Sequence, residues 1–122
     1  MNELNEYLFE IAQNSMRGEI PWNQPNPSTF LWLQETDSMS YQVTIQKAVK
    51  AGLRGFITER DSKNENITYL FQVQDRNNKQ TVISLSTSER PEVFPALEQI
   101  FHGAERGIDV RSTNVLRKLL GK

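Results

Sequence analysis

Apolar and polar residues alternate from Ile67 to Ser86, and this is the strongest pattern in the chain. Ile67, Tyr69, Phe71 and Val73 fall at every second position, Asp75 to Lys79 makes a polar loop, and Thr81, Ile83 and Leu85 resume the alternation. Side chains of a strand change face at each residue, so the spacing predicts an antiparallel hairpin with one buried face. Thr29–Glu35 is a further predicted strand, with Phe30 and Trp32 on one face and Leu31 and Leu33 on the other. A strand apolar on both faces is either covered twice or leaves an adhesive surface. Tyr41, Val43 and Ile45 alternate with Gln42, Thr44 and Gln46. A helix over Met39–Ala51 also fits the spacing of Tyr41, Ile45, Ala48 and Val49, but the β-branched run Val43-Thr44-Ile45 favours a strand. Lys47–Asp61, with Gly52 and Gly55, reads as a continuation beyond a glycine bulge or as a separate short strand, and Asp61–Asn66 as a polar loop.

Helical spacing frames these strands. Leu4, Leu8, Ile11, Ala12 and Ser15 make one buried stripe, with Asn2 placed to cap its start and Gly18 to end it. Gly18–Ser28 then carries Pro21, Pro25 and Pro27, which predicts a stiff extended strap with Ile20 and Trp22 anchored on the core edge. The alternative is a surface tryptophan that binds a partner. Downstream, Phe94, Leu97, Ile100, Phe101 and Ala104 form a second stripe after Ser88 and Pro91. Gly103 and Gly107 weaken the end of that helix by about 1 kcal/mol each relative to alanine. A separate last helix, capped by Ser112 or Thr113, is expected to carry Val115, Leu116, Leu119 and Leu120 and to stop at Gly121. Helices gathered on one face of an antiparallel sheet define the α+β class. The expectation is therefore a single α+β domain over 1–122: an N-terminal helix, a meander of four or five strands, and two C-terminal helices.

The first helix followed by Gly18-Glu19-Ile20-Pro21-Trp22 resembles the G-x-I-x-W element of small bacterial proteins of unknown function. In those proteins a similar meander and C-terminal helix follow, so the resemblance implies fold over most of the chain. It carries no assigned activity and hence no catalytic residue. The chain departs from the pattern by its longer Lys47–Asp61 segment and by Pro21 inside the element.

Composition changes the picture mainly by exclusion. At 122 residues the chain fits one domain, and the absence of cysteine excludes disulfides and thiolate chemistry. The first fifteen residues carry Glu3, Glu6 and Glu10 and no base, unlike a signal peptide, and no apolar run approaches the roughly 20 residues that span a bilayer. A cytoplasmic setting is expected. The net charge of −1 is unevenly spread. Residues 1–39 hold six acids and one base, whereas 103–122 hold five bases against Glu105 and Asp109. The simpler reading is attraction between opposite ends within one folded chain. The other is that the acidic N-terminal part of one copy meets the basic tail of a second.

Catalytic chemistry finds no foothold in the motifs. His102 is the only histidine, and without cysteine a zinc site lacks its usual ligands. Glu59, Asp61 and Glu65 lie among Arg60 and Lys63 and lack the spacing of a calcium loop. Neither G-x-x-x-x-G-K-[ST] nor G-x-G-x-x-G occurs, so no cofactor is expected. Asn66-Ile67-Thr68 matches a glycosylation acceptor but reads as coincidence without secretion. Nucleic acid is the competing partner. Lys47, Lys50, Arg54 and Arg60, with Phe56 between them, offer charge and a stacking ring as single-strand binders do. A sequence pI near 5.8 argues against a dedicated binder of phosphate backbones. The leading expectation is a non-enzymatic protein-interaction module, a small adaptor or chaperone-like protein acting as a homodimer. Trp22, Trp32, Leu33, Leu116 and Leu120 are its candidate contacts.

Overall fold

The computed structural model describes residues 3–36, 38–49 and 67–121. In chain order its elements are α1 (Glu3–Met16), β1 (Asn23–Asn26), β2 (Thr29–Glu35), β3 (Ser40–Val49), β4 (Ile67–Asp75), β5 (Gln80–Ser86) and α2 (Phe94–Leu119), with a 3-10 turn at Pro91–Val93 before α2. The five strands pair in sequence order, every pair antiparallel, as a continuous meander. Ser40–Val49 is strand, paired along its length with β2 and β4, so the helical reading of that segment is set aside. The Asn2 cap, the segment Lys50–Asn66 with its glycines, and the acidic and glycosylation motifs that include Glu59, Asp61, Glu65 and Asn66 lie outside the described residues.

Register explains the core. Phe30 pairs with Ile45, Ile45 with Phe71, and Phe71 with Leu85, so four apolar side chains stand abreast on one face. All four are buried. α2 lies over this face: the Phe101 ring meets Phe30 edge-on at 4.9 Å and Tyr69 at 5.7 Å, and Phe94 meets Tyr69 at 5.4 Å. Between β4 and β5 the register shifts beyond Val73, leaving Val82 as the extra residue of a bulge. The loop between these strands is held by Asp75, whose carboxylate accepts from the backbone N–H of Asn77 at 2.9 Å and of Asn78 at 3.3 Å.

α1 ends as its sequence predicts. Gly18 sits at φ +76°, its N–H donates to the Ser15 carbonyl and that of Glu19 donates to the Asn14 carbonyl. This is the paired hydrogen bonding of a Schellman stop, which glycine adopts without penalty.

The C-terminal region differs from expectation. One helix of 26 residues runs from Phe94 to Leu119 in place of two. The two glycines do not break it because α1 packs directly against them. A Cβ on Gly103 would lie 2.8 Å from the Ala12 carbonyl oxygen, and one on Gly107 would lie 2.2 Å from that of Ser15. Both glycines therefore admit a neighbouring backbone, and this close helix–helix packing offsets their poor helix propensity. Ser112 and Thr113 sit inside the helix. The residues after them need no separate nucleation, since they extend an existing helix.

Two outcomes follow from this packing. Gly107→Ala raises helix propensity yet should lower stability by about 1–3 kcal/mol, the usual penalty of overpacking, as read by urea denaturation; a stabilised variant would contradict the close approach. Tyr69 gives a pH signature. Burial, reinforced by Glu98 and Glu105, pushes its phenol from 10.0 up to about 12. The folded state thus holds the proton more tightly than the unfolded chain. Its contribution is complete below pH 10 and is lost as pH rises toward 12. Stability should fall by roughly 2–3 kcal/mol across that window, and Tyr69→Phe should remove that component of the alkaline loss.

Candidate interaction surface

The segment between α1 and β1 ties the helices to the sheet edge. Ile20 and Trp22 are both buried, and Trp22 is only 1% exposed. Its indole Nε1–H donates to Ser15 Oγ at 2.8 Å, and that hydroxyl donates to the Ile11 carbonyl at 2.7 Å. Ser15 is itself fully buried, so it satisfies an indole donor that has no access to water. The predicted anchoring of the strap is observed. Trp22 as a surface contact is accordingly corrected: its ring is part of the core, held by a hydrogen bond that a partner would have to break.

The backbone of Trp22 has a second role. Its carbonyl accepts from Arg111 Nη2 on α2. Arg111 Nε is buried without a hydrogen-bond partner, and no carboxylate pairs with this guanidinium among the described residues. Between β1 and α2 lies an open groove of about 530 Å³, lined by Trp22, Asn23, Gln24, Ile108, Arg111, Ser112, Val115 and Leu116. Beyond the groove α2 runs clear of the core. Val115, Leu116, Leu119 and Leu120 are 55%, 58%, 76% and 70% exposed. Ile108, Val115 and Leu119 repeat at steps of seven and four, and so share one stripe of the helix.

The five candidate contacts are thus split. Leu116 lines the groove and Leu120 continues the overhang one turn on. Trp32 is half-buried and meets the Trp22 ring at 5.7 Å, just behind the groove. Leu33, adjacent to Trp32 on β2, projects from the opposite face of the sheet. That outer face is uncharged across Leu31, Thr44, Gln72 and Ser84, which stand in register, and the Gln72 amide donates to Ser84 at 3.2 Å.

The alternative nucleic-acid set is not assembled among the described residues. Lys50, Arg54, Phe56 and Arg60 lie outside them. Lys47 lies on the helix-covered face, with its ammonium 5.7 Å from the centre of the Phe101 ring. That position makes it a cation–π partner of the core edge. His102 is exposed beside Glu105 at 3.8 Å, in keeping with a solvated helix face. Among the described residues no group of three or more His, Cys, Asp or Glu is placed to hold a metal, and no helix is long and apolar enough to cross a membrane.

Charge is arranged differently from the simpler sequence reading. Ala12 lies at Gly103, Ser15 at Gly107, and Gly18 at Val110. The contacts advance along both helices together, so α1 and α2 run in the same sense. The acidic start of α1 therefore lies toward the Phe94 end of α2, away from the basic tail. The ion pairs among the described residues are Glu35–Arg76, Arg90–Glu92 and His102–Glu105, and none joins the two ends.

Comparison with known proteins found no matching family model, no matching curated protein and no matching solved structure. The sequence pattern places Ser15 on the buried stripe but shows neither its bond to Trp22 nor the contacts that Gly107 and Arg111 make. Ser15 sat within the apolar stripe as a small core residue, and a polar group on a buried stripe was the one available signal.

The Ser15 link yields a direct outcome. Ser15→Ala strands the Trp22 indole donor and should cost about 1–3 kcal/mol, with a change in tryptophan near-ultraviolet circular dichroism. An unchanged melting curve and spectrum would contradict the buried hydrogen bond.

Proposed function

We propose that this protein is a non-enzymatic protein-interaction module that self-associates through the C-terminal end of α2. The carrying observation is the overhang: Val115, Leu116 and Leu119 on the end of α2, with Leu120 at its C-cap, are mostly exposed and adjoin an apolar groove. Burying a leucine fully is worth about 1.5–3 kcal/mol, so four such side chains left in water are a substantial unused driving force. Contiguous exposed apolar surface of this kind marks protein contact sites. Trp32 and the base of the groove supply a rigid backing, and the exposed charges around the helix end make a polar rim. An adaptor or chaperone-like role is the reading that the same exposed apolar surface supports.

Size-exclusion chromatography with light scattering across a concentration series tests this reading. The protein should move from monomer to dimer mass as concentration rises, and Leu116→Glu should hold it as a folded monomer. A strict monomer at high concentration, or a dimer indifferent to Leu116→Glu, would contradict it.

A further inference from the structure

We infer that the occupant of this groove is the acidic outer face of α1 from a second copy, in a two-fold pair. The inference rests on the reading of the α2 end as an interaction surface and names what it binds. Three observations carry it. First, Glu3, Glu6 and Glu10 punctuate α1, which has no base in its 14 residues, and none of the three forms an ion pair among the described residues. Second, Arg111, Arg117 and Lys118 lie beyond the Gly107 crossing, toward the other end of the molecule, and likewise form no ion pair among the described residues. Third, the same-sense crossing at Ser15 and Gly107 keeps these groups apart within one chain. Glu6 lies nine residues before Ser15 and Arg117 ten residues after Gly107, which at 1.5 Å per residue separates them by about 30 Å along the helices. Screening at physiological salt acts over about 8 Å, so the two ends of one chain scarcely attract.

A second copy relieves this separation. When two chains face each other about a two-fold axis with their α2 helices antiparallel, the acidic end of each falls on the basic end of the other. The contact is made twice and closes, as isologous interfaces do. Tyr7, 60% exposed between Glu6 and Glu10, brings an aromatic body for Val115 and Leu116 to cover. Arg111 lines the groove and is tethered to the Trp22 carbonyl through Nη2, so the part of its guanidinium that faces the groove is a held positive charge for a carboxylate.

Charge reversal on the full chain tests the inference. One variant carries Glu6→Lys and Glu10→Lys, the other Arg117→Glu and Lys118→Glu, all at exposed positions. Each alone should dimerise at least 10-fold more weakly than the unaltered protein in sedimentation equilibrium at low salt, with unchanged circular dichroism. Mixed in equal amounts they should recover a heterodimer, because both contacts regain opposite charges. Raising salt should weaken the unaltered dimer. Dimers that ignore the reversals, or a mixture that fails to recover, would overturn this inference while leaving the Leu116 surface standing. An unaltered protein monomeric throughout would overturn both.

Discussion

The backbone of α1 touches the backbone of α2 at Gly103 and Gly107, and most of the described architecture depends on that contact. Close approach of two helix backbones requires that no Cβ stand between them, and only glycine meets the requirement. Once the helices are in register there, Ser15 faces the strap, Trp22 finds its acceptor, and the Trp22 carbonyl comes within reach of Arg111. The strap then feeds directly into β1 at the sheet edge. One contact between small residues thus joins helices, connector and sheet, and it leaves the last turns of α2 beyond the covered body.

The same contact separates the charges. Because α1 and α2 advance together, the glutamates at the start of α1 and the bases at the end of α2 lie at opposite ends. In the opposite sense the α1 glutamates would lie alongside the basic tail and the chain would neutralise itself. The apolar overhang and the charge polarity are therefore two consequences of a single packing choice, and the proposed pairing uses both. The sheet contributes stiffness. Its outer face carries amide–hydroxyl bonds such as Gln46 to Thr29 at 3.3 Å, while its inner face holds the aromatic cluster around Phe101.

Much of this was legible in the sequence where a local rule governs. The hairpin from Ile67 to Ser86 follows from period-two alternation, the Gly18 stop from left-handed backbone, and the strand over Ser40–Val49 from β-branching. The C-terminal region was not legible, because local and tertiary effects oppose each other there. Gly103 and Gly107 weaken a helix in isolation, and only the presence of α1 across from them turns the weakness into a fit. Ser112 and Thr113 look like caps, but a cap acts only where the helix begins, and this one is already formed. The site divides along the same line. Leu116 and Leu120 were visible as apolar residues on a short terminal segment. Trp22 was ambiguous because a tryptophan beside proline suits both a core edge and a surface, and its burial depends on Ser15 seven residues earlier.

The relative sense of the two helices is the central claim, and a distance measures it. The chain has no cysteine, so Glu3→Cys with Asn114→Cys places two spin labels without interference. Diluted with excess unlabelled protein, the pair reports one chain by pulsed electron resonance. The account predicts a separation of about 30 Å, from the 1.5 Å rise per residue on either side of the crossing. A separation near 10 Å, as helices running in opposite senses through the same crossing would give, would contradict it.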